Sequence, residues 1–213
     1  MRCLRALVLA LACGAGVCGA AELTHEQALA AAEQPDADAR LAAVERLADV
    51  GEMPDTDRLV RRLGDADARV RAAATAALWQ IWSRCGDPAI DELFARGVAQ
   101  MQASALDAAL ATFSEIVARR PDFAEGWNKR ATVYFLLGEN EKSLRDCDEV
   151  LRRNPNHFGA LSGAGQIHLK LGDPERALEF FRRALRVNPN LDGLDRMIPQ
   201  LEQYLRDKGR SSA

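Results

Sequence analysis

From Leu23 onward, apolar and small side chains recur every three to four positions, with charged and amide residues between them. This is the period of helices with one buried face, because positions i, i+3, i+4 and i+7 share a stripe. Runs of Val, Ile and Thr that would favour strands are missing, and alanine dominates. The N-terminal half reads as two Ala-rich helices, 41–50 and 70–82, each preceded by a shorter one, 24–34 and 55–63. The C-terminal half reads as a succession of helix pairs. The expected fold class is all-α.

Three prolines, Pro121, Pro155 and Pro189, stand 34 residues apart. Each follows a basic segment: Arg119-Arg120, Arg152-Arg153-Asn154 and Arg186-Val187-Asn188. Proline cannot continue a helix, and Arg in the last turn complements the negative end of the helix dipole. These are three equivalent helix ends. Counting back, the second unit presents Trp127, Ala131, Tyr134, Leu137-Gly138, Ser143, Cys147 and Val150. The third presents Leu161, Gly165, His168, Leu171-Gly172, Ala177, Phe181 and Ala184, and the first Leu93, Gly97, Gln100, Ser104, Ala109, Phe113 and Ile116. Each unit is thus an apolar stripe, a tight turn and a second stripe. Small residues at 97, 131 and 165 let the two helices approach, and Trp127, Phe113 and Phe181 are expected to fill the space between them. A lone hairpin cannot bury both faces, so the units must stack.

On these residues, 90–189 resemble three tetratricopeptide (TPR) repeats, a family of helix pairs stacked into an α-solenoid. The second and third units carry the resemblance most fully. In the first, no glycine makes the turn. Residues 191–208 are expected to form a capping helix with Ile198, Leu201 and Leu205 inward. A second periodicity lies upstream: Asp36-Ala37-Asp38-Ala39-Arg40 returns 29 residues later as Asp65-Ala66-Asp67-Ala68-Arg69. With the run from Leu63 to Leu78, it makes 22–84 resemble HEAT-type repeats, in which an Asp caps the second helix. The junction is expected at 83–87, with Trp79 and Trp82 packed there ahead of repeats spanning 88–190.

The first 21 residues stand apart. Arg2 and Arg5 precede an apolar run from Ala6 to Val17, and the small residues Gly19, Ala20 and Ala21 follow. This is the layout of a secretory signal peptide cleaved after Ala20 or Ala21, and the run is too short to span a bilayer. The expectation is an exported protein of a bacterial periplasm with no membrane span in the mature chain. A lipid-anchored form through Cys13 or Cys18 is the alternative. Losing the leader leaves 26 basic against 31 acidic residues, which argues against nucleic acid as a partner. It also leaves two cysteines, Cys85 and Cys147, too few for a disulfide framework; Cys147 on a core-facing stripe reads as a buried thiol.

Catalytic chemistry is not legible. His25, His157 and His168 lack cysteine or paired acids at ligand spacing, so no metal and no cofactor are expected. No Gly-x-Ser-x-Gly elbow and no phosphate-cradling glycine loop are present. The chain reads as a non-enzyme, with an unrecognised active site as the remote alternative.

The resemblance implies that the first helix of each pair lines a concave groove that holds a peptide or partner helix. The groove candidates are Phe94, Val98 and Met101 from the first unit, Asn128, Thr132 and Phe135 (beside Glu125) from the second, and Ser162, Gln166 and Leu169 (beside Gly159) from the third. Some TPR co-chaperones clamp a terminal carboxylate with Lys and Asn. Here Phe94, Val98, Gly159 and Gly163 stand at those positions, so that ligand is not expected. Asn128-Lys129-Arg130 and His157 are further polar candidates, and Gly159 invites close approach by a ligand backbone or a packed helix. The functional expectation is an adaptor or scaffold for an unidentified protein, with a structural subunit of an envelope complex as the alternative.

Overall fold

The computed structural model describes residues 22–211; the signal-peptide reading of 1–21 lies outside them. Eleven α-helices follow one another among the described residues, with no strand. The N-terminal half comprises α1 (His25–Ala31), α2 (Ala37–Val50), a 3₁₀ turn at Met53–Asp55, α3 (Thr56–Arg62) and α4 (Ala68–Trp82). Three hairpins follow: α5 (Pro88–Gln102) with α6 (Leu106–Arg119), α7 (Ala124–Leu136) with α8 (Asn140–Arg153), and α9 (Phe158–Lys170) with α10 (Pro174–Val187). The last helix is α11 (Leu194–Ser211). Each helix packs on its sequence neighbour within a pair, and α6 on α7 and α8 on α9 join the pairs into an α-solenoid.

Local chemistry places the ends. Thr24 and Gln27 form a reciprocal capping box at the start of α1. Asp36 accepts from the Ala39 N–H and Asp67 from the Arg69 N–H, each at 2.8 Å, so α2 and α4 begin earlier than the apolar stripes implied. The two copies of the upstream motif also grip each other. Arg40 donates to Asp65 through Nε and Nη2, both at 2.8 Å, while Arg69 Nη2 donates to Asp38 at 2.8 Å. Asp65 is therefore an inter-motif acceptor, and the capping role falls to Asp67.

The hairpin turns recur at the same place in each unit. Gly138 and Gly172 take φ of 80° and 77°, and Ser104 takes the equivalent position with φ 57°. The first unit thus makes the same left-handed turn without glycine, at a steric cost of roughly 1–2 kcal/mol for an L side chain.

Inside each hairpin a small residue faces a partner sixteen positions on. A Cβ on Gly97 would lie 2.7 Å from Phe113 Cζ, and one on Gly165 2.5 Å from Phe181 Cε1. In the second unit the pair is Ala131 and Cys147, both buried in one core cluster, where a smaller partner leaves room for a methyl group. Trp127 does not fill this space. It stands half-buried at the edge, its indole N–H donating to the Pro121 carbonyl at 2.9 Å, with the Arg130 and Arg153 guanidinium groups 4.9 and 4.8 Å from its ring. A planar cation on the ring face offsets the exposure.

Three apolar cores result. One joins α1–α4, one joins α5 and α6 to α7 through Phe123 and Val133, and one joins the second and third hairpins to α11. Leu194 is buried in the third, with Met197, Ile198 and Leu201 packed against it; Leu205 lies beyond it, so the capping stripe ends one turn early. Phe158 belongs to the N-terminal core, and Val187 and Leu191 touch both it and the last one. The N-terminal half is therefore seated on the third unit, with Trp79 and Trp82 meeting residues some 75 positions downstream. Cys85 and Cys147 are both free thiols.

Candidate protein-binding groove

A cavity of about 420 Å³ opens between α7, α9 and α4. Asn128, Thr132 and Phe135 line it from α7, Ser162 and Gln166 from α9, and Trp79 closes the opposite side from α4. Residues 128, 132 and 135 share one face of a helix, as do 162 and 166, which is why five of the nine groove candidates converge here. The other four do not reach this cavity. Phe94 is buried edge-to-face against Phe113 and Phe123, and Val98 and Met101 pack on that same core. Leu169 packs on the core of the third unit.

The lining holds no Lys or Arg, and Asp192 is its one charged residue. Thr132 donates its hydroxyl to the Asn128 carbonyl at 2.9 Å, and Asn128 Nδ2 donates to Glu125 at 3.0 Å. Ser162 and Gln166 make no side-chain hydrogen bond within the described residues, so their donors and acceptors face the cavity unspent. The result is a wall of hydroxyls and amides beside the Phe135 ring.

Below it lies a buried polar cluster that sequence reasoning placed at the surface. His157 and Glu125 have fully buried side chains, with His157 Nε2 and Glu125 Oε2 2.8 Å apart. The Ala160 N–H donates to His157 Nδ1 at 3.0 Å, which requires Nδ1 to be an acceptor. The proton therefore sits on Nε2, and a neutral imidazole donates to the Glu125 carboxylate. Lys129 Nζ stands 3.0 Å from Glu125 Oε1 and supplies the balancing charge. Burial alone would push the Glu125 carboxyl up; His157 first and the Lys129 ammonium after it outweigh burial and hold it below the ordinary range.

Two tryptophans seal the cluster. Trp82 stacks on the His157 ring at 4.5 Å, and Trp79 meets His157 and Phe158 edge-on at 5.4 and 5.3 Å. A Cβ on Gly159 would come within 2.5 Å of Trp79 Cη2. The close approach that Gly159 permits is thus made by the chain's own α4. His157 and Glu125 were candidates for surface contact; both are closed to solvent. The signals that could have revealed them were the paired tryptophans and an acid and a histidine 32 positions apart.

Two Asn-Pro-Asn turns hold α3 and α4 in place. Asn190 Nδ2 donates to the Leu63 carbonyl at 2.8 Å and Asn190 Oδ1 accepts from Arg71 Nε at 3.0 Å. One repeat earlier, Asn156 Nδ2 donates to Asp57 at 3.4 Å.

Among the described residues, no group of three or more His, Cys, Asp or Glu side chains could hold a metal, and no helix is long and apolar enough to cross a membrane. Models of the tetratricopeptide repeat family match residues 94–149 and 122–190. Residues 94–190 are thus similar to tetratricopeptide repeats. A TPR repeat-containing protein of Rhizobium etli is 36% identical over 67 residues, 32% of this chain and 33% of that protein. The chain thus matches about a third of the length of that relative. Among solved structures, the first TPR of Spaghetti (RPAP3) bound to the HSP90 peptide SRMEEVD aligns with TM-score 0.53 and 21% identity, over 55% of this chain and 93% of that one. The Sgt2 TPR domain of Aspergillus fumigatus aligns with TM-score 0.55 and 20% identity, over 60% of this chain and 85% of that one. At these identities the likeness is one of fold.

Proposed function

We propose that this protein is an exported TPR adaptor that holds an extended segment of a partner protein in the cavity between α4, α7 and α9. The observation that carries the reading is the wall itself: Ser162 and Gln166 with unused hydrogen-bonding groups, beside Thr132, Asn128 and Phe135. Hydroxyls and amides suit the repeating donors and acceptors of a peptide backbone, and the Phe135 ring suits one apolar side chain. The RPAP3 repeat, which carries the peptide SRMEEVD, is a precedent for a peptide on this fold. Without a basic residue in the lining, a terminal carboxylate is not the anchor here. Export rests on the leader-like residues 1–21. The HEAT-like half, 22–84, acts in this reading as a fixed wall that narrows the groove and selects thin, extended ligands.

A photo-crosslinking residue at Thr132, expressed in cells, tests this. It should capture a discrete protein, and one at Arg145 on α8 should not. Capture from Arg145 alone would sink the groove model.

A further inference from the structure

A second pocket, about 210 Å³ in volume, lies where the tip of the N-terminal half meets the loops after the first and second units. Its wall carries Arg84, Arg120 and Arg153 against one carboxylate, Asp122. Arg120 already holds Asp122 through Nε and Nη2 at 3.2 and 3.1 Å, which keeps that carboxyl below its usual range. Arg153 pairs with Glu149. Arg84 donates to the carbonyls of Ala48, Asp49 and Gly51, contacts that fix it without neutralising it. Burial pushes the Cys85 thiol up, so this sulfur adds no negative charge to the wall.

Two donors of the same wall have no acceptor among the described residues: Trp82 Nε1–H and Asn154 Nδ2–H. Their residues are 3% and 6% exposed. Buried polar groups are normally paired, because an orphan donor costs the full desolvation of the group. The start of α7 adds to them. Phe123 stands at its N-cap with no side-chain acceptor, whereas His157, 34 residues later, caps α9 through Nδ1. The pocket therefore combines the Arg84 guanidinium, which has no carboxylate partner among the described residues, two orphan buried donors and an uncapped helix start. A cationic occupant would leave all three unanswered; an oxygen-rich anion answers each, the charge of Arg84 included.

We propose that this pocket binds a small oxyanion of the phosphate class, held by Arg84, Arg120, Trp82 Nε1 and Asn154 Nδ2. Bound there, the anion ties the end of α4 to the loops after the first two repeats.

The test is calorimetric titration of the full chain with inorganic phosphate, with sodium chloride at matched ionic strength as reference. Saturable binding is expected, weakened at least tenfold by Arg120→Gln, at a half-exposed position just after α6. Trp82→Phe keeps a ring on His157, removes the N–H, and identifies the Trp82 indole signal in a nitrogen–proton spectrum. That signal should move with phosphate in the unmodified chain. Phosphate heats equal to those of chloride, or an unmoved Trp82 signal, would overturn the proposal.

Discussion

Trp79 Cη2 occupies the space that a side chain on Gly159 would need, 2.5 Å from the position of its Cβ. The contact joins α4 to the first turn of α9 and makes the N-terminal half part of the groove. Gly159→Ala should therefore destabilise the protein. Ala gains about 1 kcal/mol over Gly within a helix, but overpacking a filled site costs about 1–3 kcal/mol. A net loss of about 1 kcal/mol is expected from urea unfolding, and it should vanish in a Trp79→Ala background. An equal loss in both backgrounds would show that the indole is not what Gly159 accommodates.

Gly165→Ala meets the Phe181 ring in the same way, inside one hairpin. Its cost should be about 1–3 kcal/mol and should shrink when Phe181 is Leu, which a double-mutant cycle reads directly. Ala131→Gly, by contrast, should not relieve strain, since Ala131 faces the smaller Cys147.

Ser104 holds a left-handed φ of 57° where the other units have glycine. Ser104→Gly should raise stability by about 1 kcal/mol, less the entropy that glycine adds to the unfolded chain. The urea midpoint should rise with an unchanged slope.

The Glu125–His157 pair makes stability depend on acid. Glu125 has its carboxyl held below the unfolded value, so its contribution is present above that value, about 4.3, and is lost as pH falls through the lower folded value. Glu125→Gln should flatten the acid limb of a stability–pH curve. At neutral pH it should cost about 3 kcal/mol, because breaking a buried pair strands its partners. Thermal unfolding between pH 3 and 7, followed by tryptophan fluorescence, gives both readings.

Cys147 is buried, and its thiol is pushed up to about 12, first by burial and then by the neighbouring Asp148 and Asp146 carboxylates. Cys85 is only half-buried. Iodoacetamide at pH 8 should label Cys85 in the native protein and Cys147 only after unfolding, as peptide mass mapping would show. Native labelling of Cys147 would contradict its burial.

Much of the helical layout was legible beforehand, for a local reason. A TPR hairpin is specified by residues within about 34 positions: Gly138 and Gly172 at the turns, the sixteen-residue pairing of Gly165 with Phe181, and the Asp-Pro start of α10. Each acts on its near neighbours and leaves a period. Five of the groove candidates line one cavity on the same basis, because helical spacing places those of α7 on one face and those of α9 on another. Phe94 stays outside that cavity because its ring packs against Phe113 and Phe123. Trp127 failed as a core residue because two guanidinium groups and the Pro121 carbonyl make an edge position tolerable.

The sequence by itself determined the helices, their pairing and the stacking of the repeats, since these rest on short-range contacts repeated along the chain. Only the tertiary structure decided where the N-terminal half sits. That placement rests on contacts made once: Trp79 against Gly159, Trp82 on His157, and Asn190 to Leu63. A contact between residues 75 or 127 positions apart has no period to betray it. It closes the cavity wall, buries Glu125 and gathers the donors of the second pocket, so the two candidate sites were settled by long-range packing.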